Sequence, residues 1–148
     1  MKKAPDIVGL LLGLAFVAFG LDFFVHFLPD QPPPGNAAAA AFAGAMYQSG
    51  YLAFVKVLEI TGGVLVAIPM TRNYGLLVLG PIIVNILCFN TFLTGGKGLF
   101  SLPVLLIVLP AAFLLWSERK AFSALVPQRK APANAPSREE EPEEGAGD

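Results

Sequence analysis

The sequence predicts an all-α fold, a polytopic membrane protein built as a bundle of four transmembrane helices. Three observations carry this. The 148 residues are 55% hydrophobic and only 14% charged, against roughly 45–50% and about 25% in soluble domains. The apolar residues collect in four runs, 7–28, 51–70, 74–93 and 99–116, each near the ~20 residues that cross a hydrocarbon core as helix. The 15 glycines and 13 prolines are scattered through these runs, as is usual for transmembrane helices.

The first run follows Met1-Lys2-Lys3. It exceeds the about 7–15 apolar residues of a signal peptide, and Asp22 and His26 do not suit one, so it is expected to be an uncleaved span. Pro29 to Gly50 then forms a long, Pro-rich outer segment. Asn36 is placed to cap a short Ala-rich helix from Ala37 to about Gln48, lying at the membrane interface and broken by Ser49-Gly50. The second and third spans are separated by the short segment around Arg72, and Thr94 to Gly98 is a tight glycine turn before the fourth. Past Trp116, an interfacial anchor, helix is expected through Leu125 until Pro127 stops it. Residues 1–126 thus form the membrane domain, and 127–148, rich in Pro, Ala and charge, a disordered tail.

Four spans put both termini on one side. That side holds Lys2, Lys3, Arg72, Arg119, Lys120, Arg129, Lys130 and Arg138, and the other only Lys97. Cytoplasmic loops carry the cations, so both termini are expected in the cytoplasm, with the chain in a bacterial inner membrane. Ten Lys and Arg against eleven Asp and Glu leave a net charge of −1, which gives nucleic acid no electrostatic footprint. The lipid bilayer is the evident partner, and four short helices leave room for a homo-oligomer, whose state the sequence does not fix. Cys88 is the single cysteine, which excludes an intrachain disulfide or a Cys-x-x-Cys redox pair; it reads as a buried, inert thiol. No metal site is expected, because His26 has no second histidine to join it.

Charged residues inside spans are costly and mark function first. Asp22, Lys56 and Glu59 are such residues, with His26, Asn85 and Asn90 as polar neighbours. Counted from the outer span ends at ~1.5 Å per residue, Asp22, Glu59 and Asn85 lie about 9–12 Å deep and His26, Lys56 and Asn90 about 3–7 Å. All six fall in the outer half of the bilayer, and the inner half has no counterpart. Asp22 with His26, and Lys56 with Glu59, stack on single helix faces; Asn90 is expected to point away from Asn85, so that the two do not meet one small cavity. The functional reading is an outward-open pocket. The structural alternative is a buried ion pair, Lys56 with Glu59 or Asp22, that pins helices together, with Asn85 bonding between helices. Gly9-x-x-x-Gly13 and Gly62-Gly63 are read as packing contacts, and Pro81 as a kink that widens the pocket.

In order along the chain, Gly20-Leu21-Asp22-Phe23-Phe24-x-His26-Phe27-Leu28-Pro29, Ser49-Gly50-Tyr51-Leu52, Lys56-Val57-Leu58-Glu59-Ile60-x-Gly62-Gly63 and Pro81-Ile82-Ile83-Val84-Asn85-Ile86 resemble the DoxX family of small four-helix membrane proteins. The resemblance spans about Ile7 to Trp116. It implies that His26, Lys56, Glu59 and Asn85 are motif positions. Asp22 stands where the family pattern has Asn, and Asn90 where it has His, so a paired-histidine site is not implied. It further implies a membrane subunit of a quinone-linked oxidoreductase system, with quinone as the ligand and a soluble or membrane redox partner docking on the cytoplasmic tail. The chain carries no evident haem or flavin motif, so electron transfer would need that partner or a bound cofactor. Two other classes stay open: a small solute or proton transporter using Asp22, Lys56 and Glu59, and a structural assembly subunit without chemistry of its own.

Overall fold

A computed structural model describes residues 3–30 and 32–125. The tail expected from 127 onward, with its stop at Pro127, lies outside them. The described residues are helical: α1 (Lys3–Val25), α2 (Ala37–Gln48), α3 (Tyr51–Ala67), α4 (Arg72–Cys88) with a π-helical turn (Phe89–Leu93), α5 (Leu102–Ser117) and α6 (Arg119–Leu125). Among them, Lys3–Val25 and Arg72–Leu93 are long and apolar enough to cross a membrane, and α2 with α3, bent by 82° at their junction, would make a third span. α5 is apolar but shorter.

The short helix forms as its cap predicts. Asn36 takes extended backbone and its Oδ1 accepts from the Ala39 amide at 3.0 Å, while Gly50, at φ 75°, turns the chain sharply into α3. On the neighbouring connection Gly95 and Gly96 hold φ of 64° and 81°, which makes the tight turn that only glycine adopts without strain. Helix does continue past Trp116, but restarts: Glu118 closes α5 by donating to the Leu114 carbonyl at 2.8 Å. The guanidinium of Arg119 then stacks 4.8 Å over the Trp116 ring.

α1 packs most extensively on α3, α3 on α4, and α5 closes the group against α1 and more loosely against α4. The core is a column of Leu12, Phe16, Val66, Leu79, Ile107 and Leu114 with their neighbours. Small residues let the backbones approach, as in membrane bundles where burial of apolar surface does little to drive helices together. A Cβ on Gly13 would strike the Gly63 carbonyl, and one on Gly63 would lie 2.8 Å from the Gly13 carbonyl. Gly75 plays the same part between α4 and α3, where a Cβ would fall 2.5 Å from the Val66 amide nitrogen. The outward faces carry large apolar side chains, among them Leu11, Leu14, Leu77, Leu106 and Leu109. Cys88 belongs to that outer surface rather than to the interior expected of it.

Candidate functional site

The centre of the site is an ion pair made within one helix turn. Lys56 Nζ donates to Glu59 Oε2 at 2.8 Å, and Glu59 is 5% exposed. Their spacing of three puts both on one face of α3, and Lys56 takes this partner rather than Asp22.

Two cavities meet at the pair. The first, about 320 Å3, is walled by all four long helices: Phe16, Phe19, Asp22 and Phe23 from α1, Lys56 and Glu59 from α3, Ile86 from α4, and Pro103 and Ile107 from α5. The second, about 240 Å3, lies on the other flank between α2, α3 and α4, where Lys56 and Glu59 face Asn85 and Asn90 amid apolar side chains such as Phe42, Met46 and Val55. The structure therefore brings together five of the six residues singled out in sequence, in two compartments rather than one.

His26 is the exception. α1 ends at Val25, and His26 turns the chain at φ 53°, exposed and outside both cavities. The helical phase that stacked it on Asp22 stops one residue too early. Asp22 is itself engaged at this helix end: its Oδ1 accepts from the amides of Phe27 at 2.9 Å and Leu28 at 2.7 Å, just past the last helical residue. It thus holds the chain that leaves α1 as well as walling the cavity.

Asn85 and Asn90 do share a cavity, against the expectation from α-helical phase. Five residues at ~100° each would set them about 140° apart, but Asn90 lies in the π-turn, which rotates less per residue. Side chains hold that turn by taking carbonyls its altered ladder frees. Asn90 Nδ2 donates to the Ile86 carbonyl at 2.8 Å, Thr91 Oγ1 to Leu87 at 2.7 Å, and Thr94 Oγ1 to Asn90 at 2.7 Å. α4 meanwhile runs through Pro81 unbroken, so the irregularity beside the cavity comes at Phe89 and not at the proline.

The end of the bundle where α1 and α4 begin, expected to be free of buried charge, has its own network. Arg72, 3% exposed, donates to Asp6 at 2.7 Å and to Glu118 at 3.3 Å. Gly9 leaves room for it, since a Cβ there would lie 2.8 Å from its Nε. The signal was present in the topology, which sets residues 6, 72 and 118 at the same end. No local spacing links the three residues, and in sequence Arg72 is one of ten cations.

Chemically, the paired charges leave the second cavity without net charge, with an ammonium and two carboxamides as donors amid apolar walls, while Asp22 adds a carboxylate to the wall of the first. The ~240–320 Å3 cavities are at the small end of ligand pockets, which run about 300–1,000 Å3. Fold and site together describe a small helical protein with membrane-length apolar helices and a buried ion pair between two cavities. The chain is 32% identical over 133 residues to the uncharacterized protein YwoB of Bacillus subtilis (strain 168), covering 86% of this chain and 84% of that protein. It belongs to the same protein family as YwoB. No family model matches the chain, and no solved structure matches it.

Proposed function

We propose that the chain is a DoxX-like, four-span subunit of a quinone-linked oxidoreductase system in the bacterial inner membrane, and that its ligand site is the pair of cavities that meet at Lys56 and Glu59. The observation that carries this is the Lys56–Glu59 pair, buried on the wall of a cavity to which α1, α3, α4 and α5 all contribute. Both partners sit on α3, three residues apart, so the pair ties no two helices together and the assembly of the bundle does not account for it. A quinone ring carbonyl is an acceptor that Lys56 can serve, with Asn85 available from the second flank. Phe16, Phe19 and Phe23 supply the flat apolar contact a ring requires. The quinone supplies the two-electron chemistry when bound, and the chain's residues bind and orient it. A redox partner delivers the electrons.

Four spans with both termini cytoplasmic agree with the ends of the bundle. Asp6, Arg72 and Glu118 meet at one end, and the link from Asn36 Nδ2 to the Leu93 carbonyl lies at the other, near Lys97. α2, bent away from α3 by 82°, then lies along the outer interface.

The test is mass spectrometry of lipid and small-molecule extracts from gently solubilised protein, comparing the wild type with Lys56→Met, Glu59→Gln and the Lys56→Met/Glu59→Met pair. Quinone enriched in the wild type and lost in the variants is expected. Extracts that match bulk membrane in every sample would overturn the reading. Proton or solute flux abolished by Glu59→Gln would then favour a transporter.

A further inference from the structure

The second cavity does not end at Asn85. A groove of about 740 Å3 on the outer surface of α3 and α4 shares Phe42, Met46, Val55, Ile82 and Asn85 with it, so the two form one continuous depression. The rest of the groove, from Phe54 and Leu58 on α3 to Leu77 and Pro81 on α4, holds no charged side chain.

Polarity is graded along this depression. Asn85, Asn90, Lys56 and Glu59 gather at one end, and Leu77 lies about 12 Å inward of Asn85 along α4 at ~1.5 Å per residue. Asn85 is exposed at the mouth of the depression, where its carboxamide can meet an incoming polar group. α2 roofs the polar end, with the Phe42 ring 5.8 Å from that of Phe89. The charge at that end is already balanced, Lys56 by Glu59 at 2.8 Å. An anionic head would meet Glu59 and a cationic one Lys56, so the head that fits is neutral and hydrogen-bonding. One groove leads away from it, which accommodates one chain.

We propose that this depression is a lateral portal from the outer leaflet and the tail-binding groove for a neutral, single-chain amphiphile, the chemistry of the quinone proposed above. Its carbonyl or hydroxyl head is taken by Asn85, Asn90 and Lys56, and its hydrocarbon chain lies against Phe54, Leu77 and Pro81. The inference rests on the reading of the Lys56–Glu59 site as a membrane-ligand site and adds where the ligand comes in and where its tail goes.

The experiment uses the full chain in lipid nanodiscs with two probes, a quinone analogue and a monoacylglycerol, each carrying a diazirine on its hydrocarbon chain. Photolabelled peptides are mapped by mass spectrometry. Labelling at residues 51–58 and 77–81 is expected to exceed that at the lipid-facing Leu11 and Leu109 several-fold. It should fall to their level in Leu77→Trp, which fills the groove from an exposed position, and persist in Leu106→Trp, the same change on the exposed face of α5. Labelling spread evenly over the apolar surface, or untouched by Leu77→Trp, would overturn the groove even if quinone co-purifies and depends on Lys56. Enrichment of the monoacylglycerol alone would uphold the groove while removing quinone as its occupant.

Discussion

Arg72 Nη2 lies 2.7 Å from Asp6 Oδ1, a residue 66 positions earlier, and the same guanidinium reaches Glu118. One buried cation therefore ties the start of α1, the start of α4 and the junction of α5 with α6. The carboxylates are 50% and 28% exposed, whereas the Arg72 side chain is 4% exposed. Asp6→Asn or Glu118→Gln alone should cost under about 1 kcal/mol, as solvent-screened pairs do. The double variant leaves a buried guanidinium without an anion and should cost about 3–5 kcal/mol, well beyond the sum. Reversible unfolding in mixed micelles measures both, and simple additivity would show that Arg72 is solvated in the membrane.

Gly13 and Gly44 make a contrasting pair. A Cβ on Gly13 meets the Gly63 carbonyl and lies 2.8 Å from the Ala67 Cβ, whereas one on Gly44 meets nothing within 4 Å. Gly13→Ala should therefore destabilise by about 1–3 kcal/mol through overpacking of backbone on backbone. Gly44→Ala, inside α2, should be neutral or stabilising by up to about 1 kcal/mol. Melting temperatures in one detergent decide the order.

Removing one partner of Lys56–Glu59 strands the other in the interior. Lys56→Met and Glu59→Met should each destabilise by about 3–5 kcal/mol, and the double variant by much less than either. The same unfolding assay reports the cycle. A double variant as unstable as the sum would mean that the two charges are stabilised independently of one another.

At His26 the backbone is left-handed, with φ 53°, a region in which side chains other than glycine's are disfavoured by roughly 1–2 kcal/mol. His26→Gly is expected to raise stability by about 1 kcal/mol and to leave any co-purifying ligand unchanged, since the imidazole faces neither cavity. Loss of that ligand from the glycine variant would return His26 to the site.

Asn36 caps α2 through Oδ1 and holds the Leu93 carbonyl through Nδ2. Asn36→Ala removes both bonds and should cost about 1 kcal/mol for the cap alone. Faster amide hydrogen exchange across Ala37–Gln48, with α3 unchanged, is the expected signature.

The apolar runs, the Asn36 cap and the Lys56–Glu59 stacking were legible because each depends on local spacing alone. The boundaries of the site were less so, for physical reasons that differ from residue to residue. His26 falls in phase with Asp22 only if the helix continues past Val25, where it ends, and a helix end marked by a left-handed histidine carries no glycine to announce it. Asn90 points away from Asn85 only at 3.6 residues per turn, which the segment from Phe89 does not keep. Cys88 looked interior because its neighbours are apolar, a pattern that in lipid marks the outside as readily as the core. Arg72 required three residues far apart in sequence to be considered together.

The π-turn at Phe89–Leu93 amounts to one surplus residue in a helix otherwise in step with itself. A chain shorter by a single residue just after Asn90 would close into ordinary α geometry and set Asn90 about 140° from Asn85. The polar lining of the second cavity is thus set by the length of the chain as much as by its composition, and a single-codon deletion between Thr91 and Leu93 would turn Asn90 out of that lining while keeping the identity of every residue that forms it.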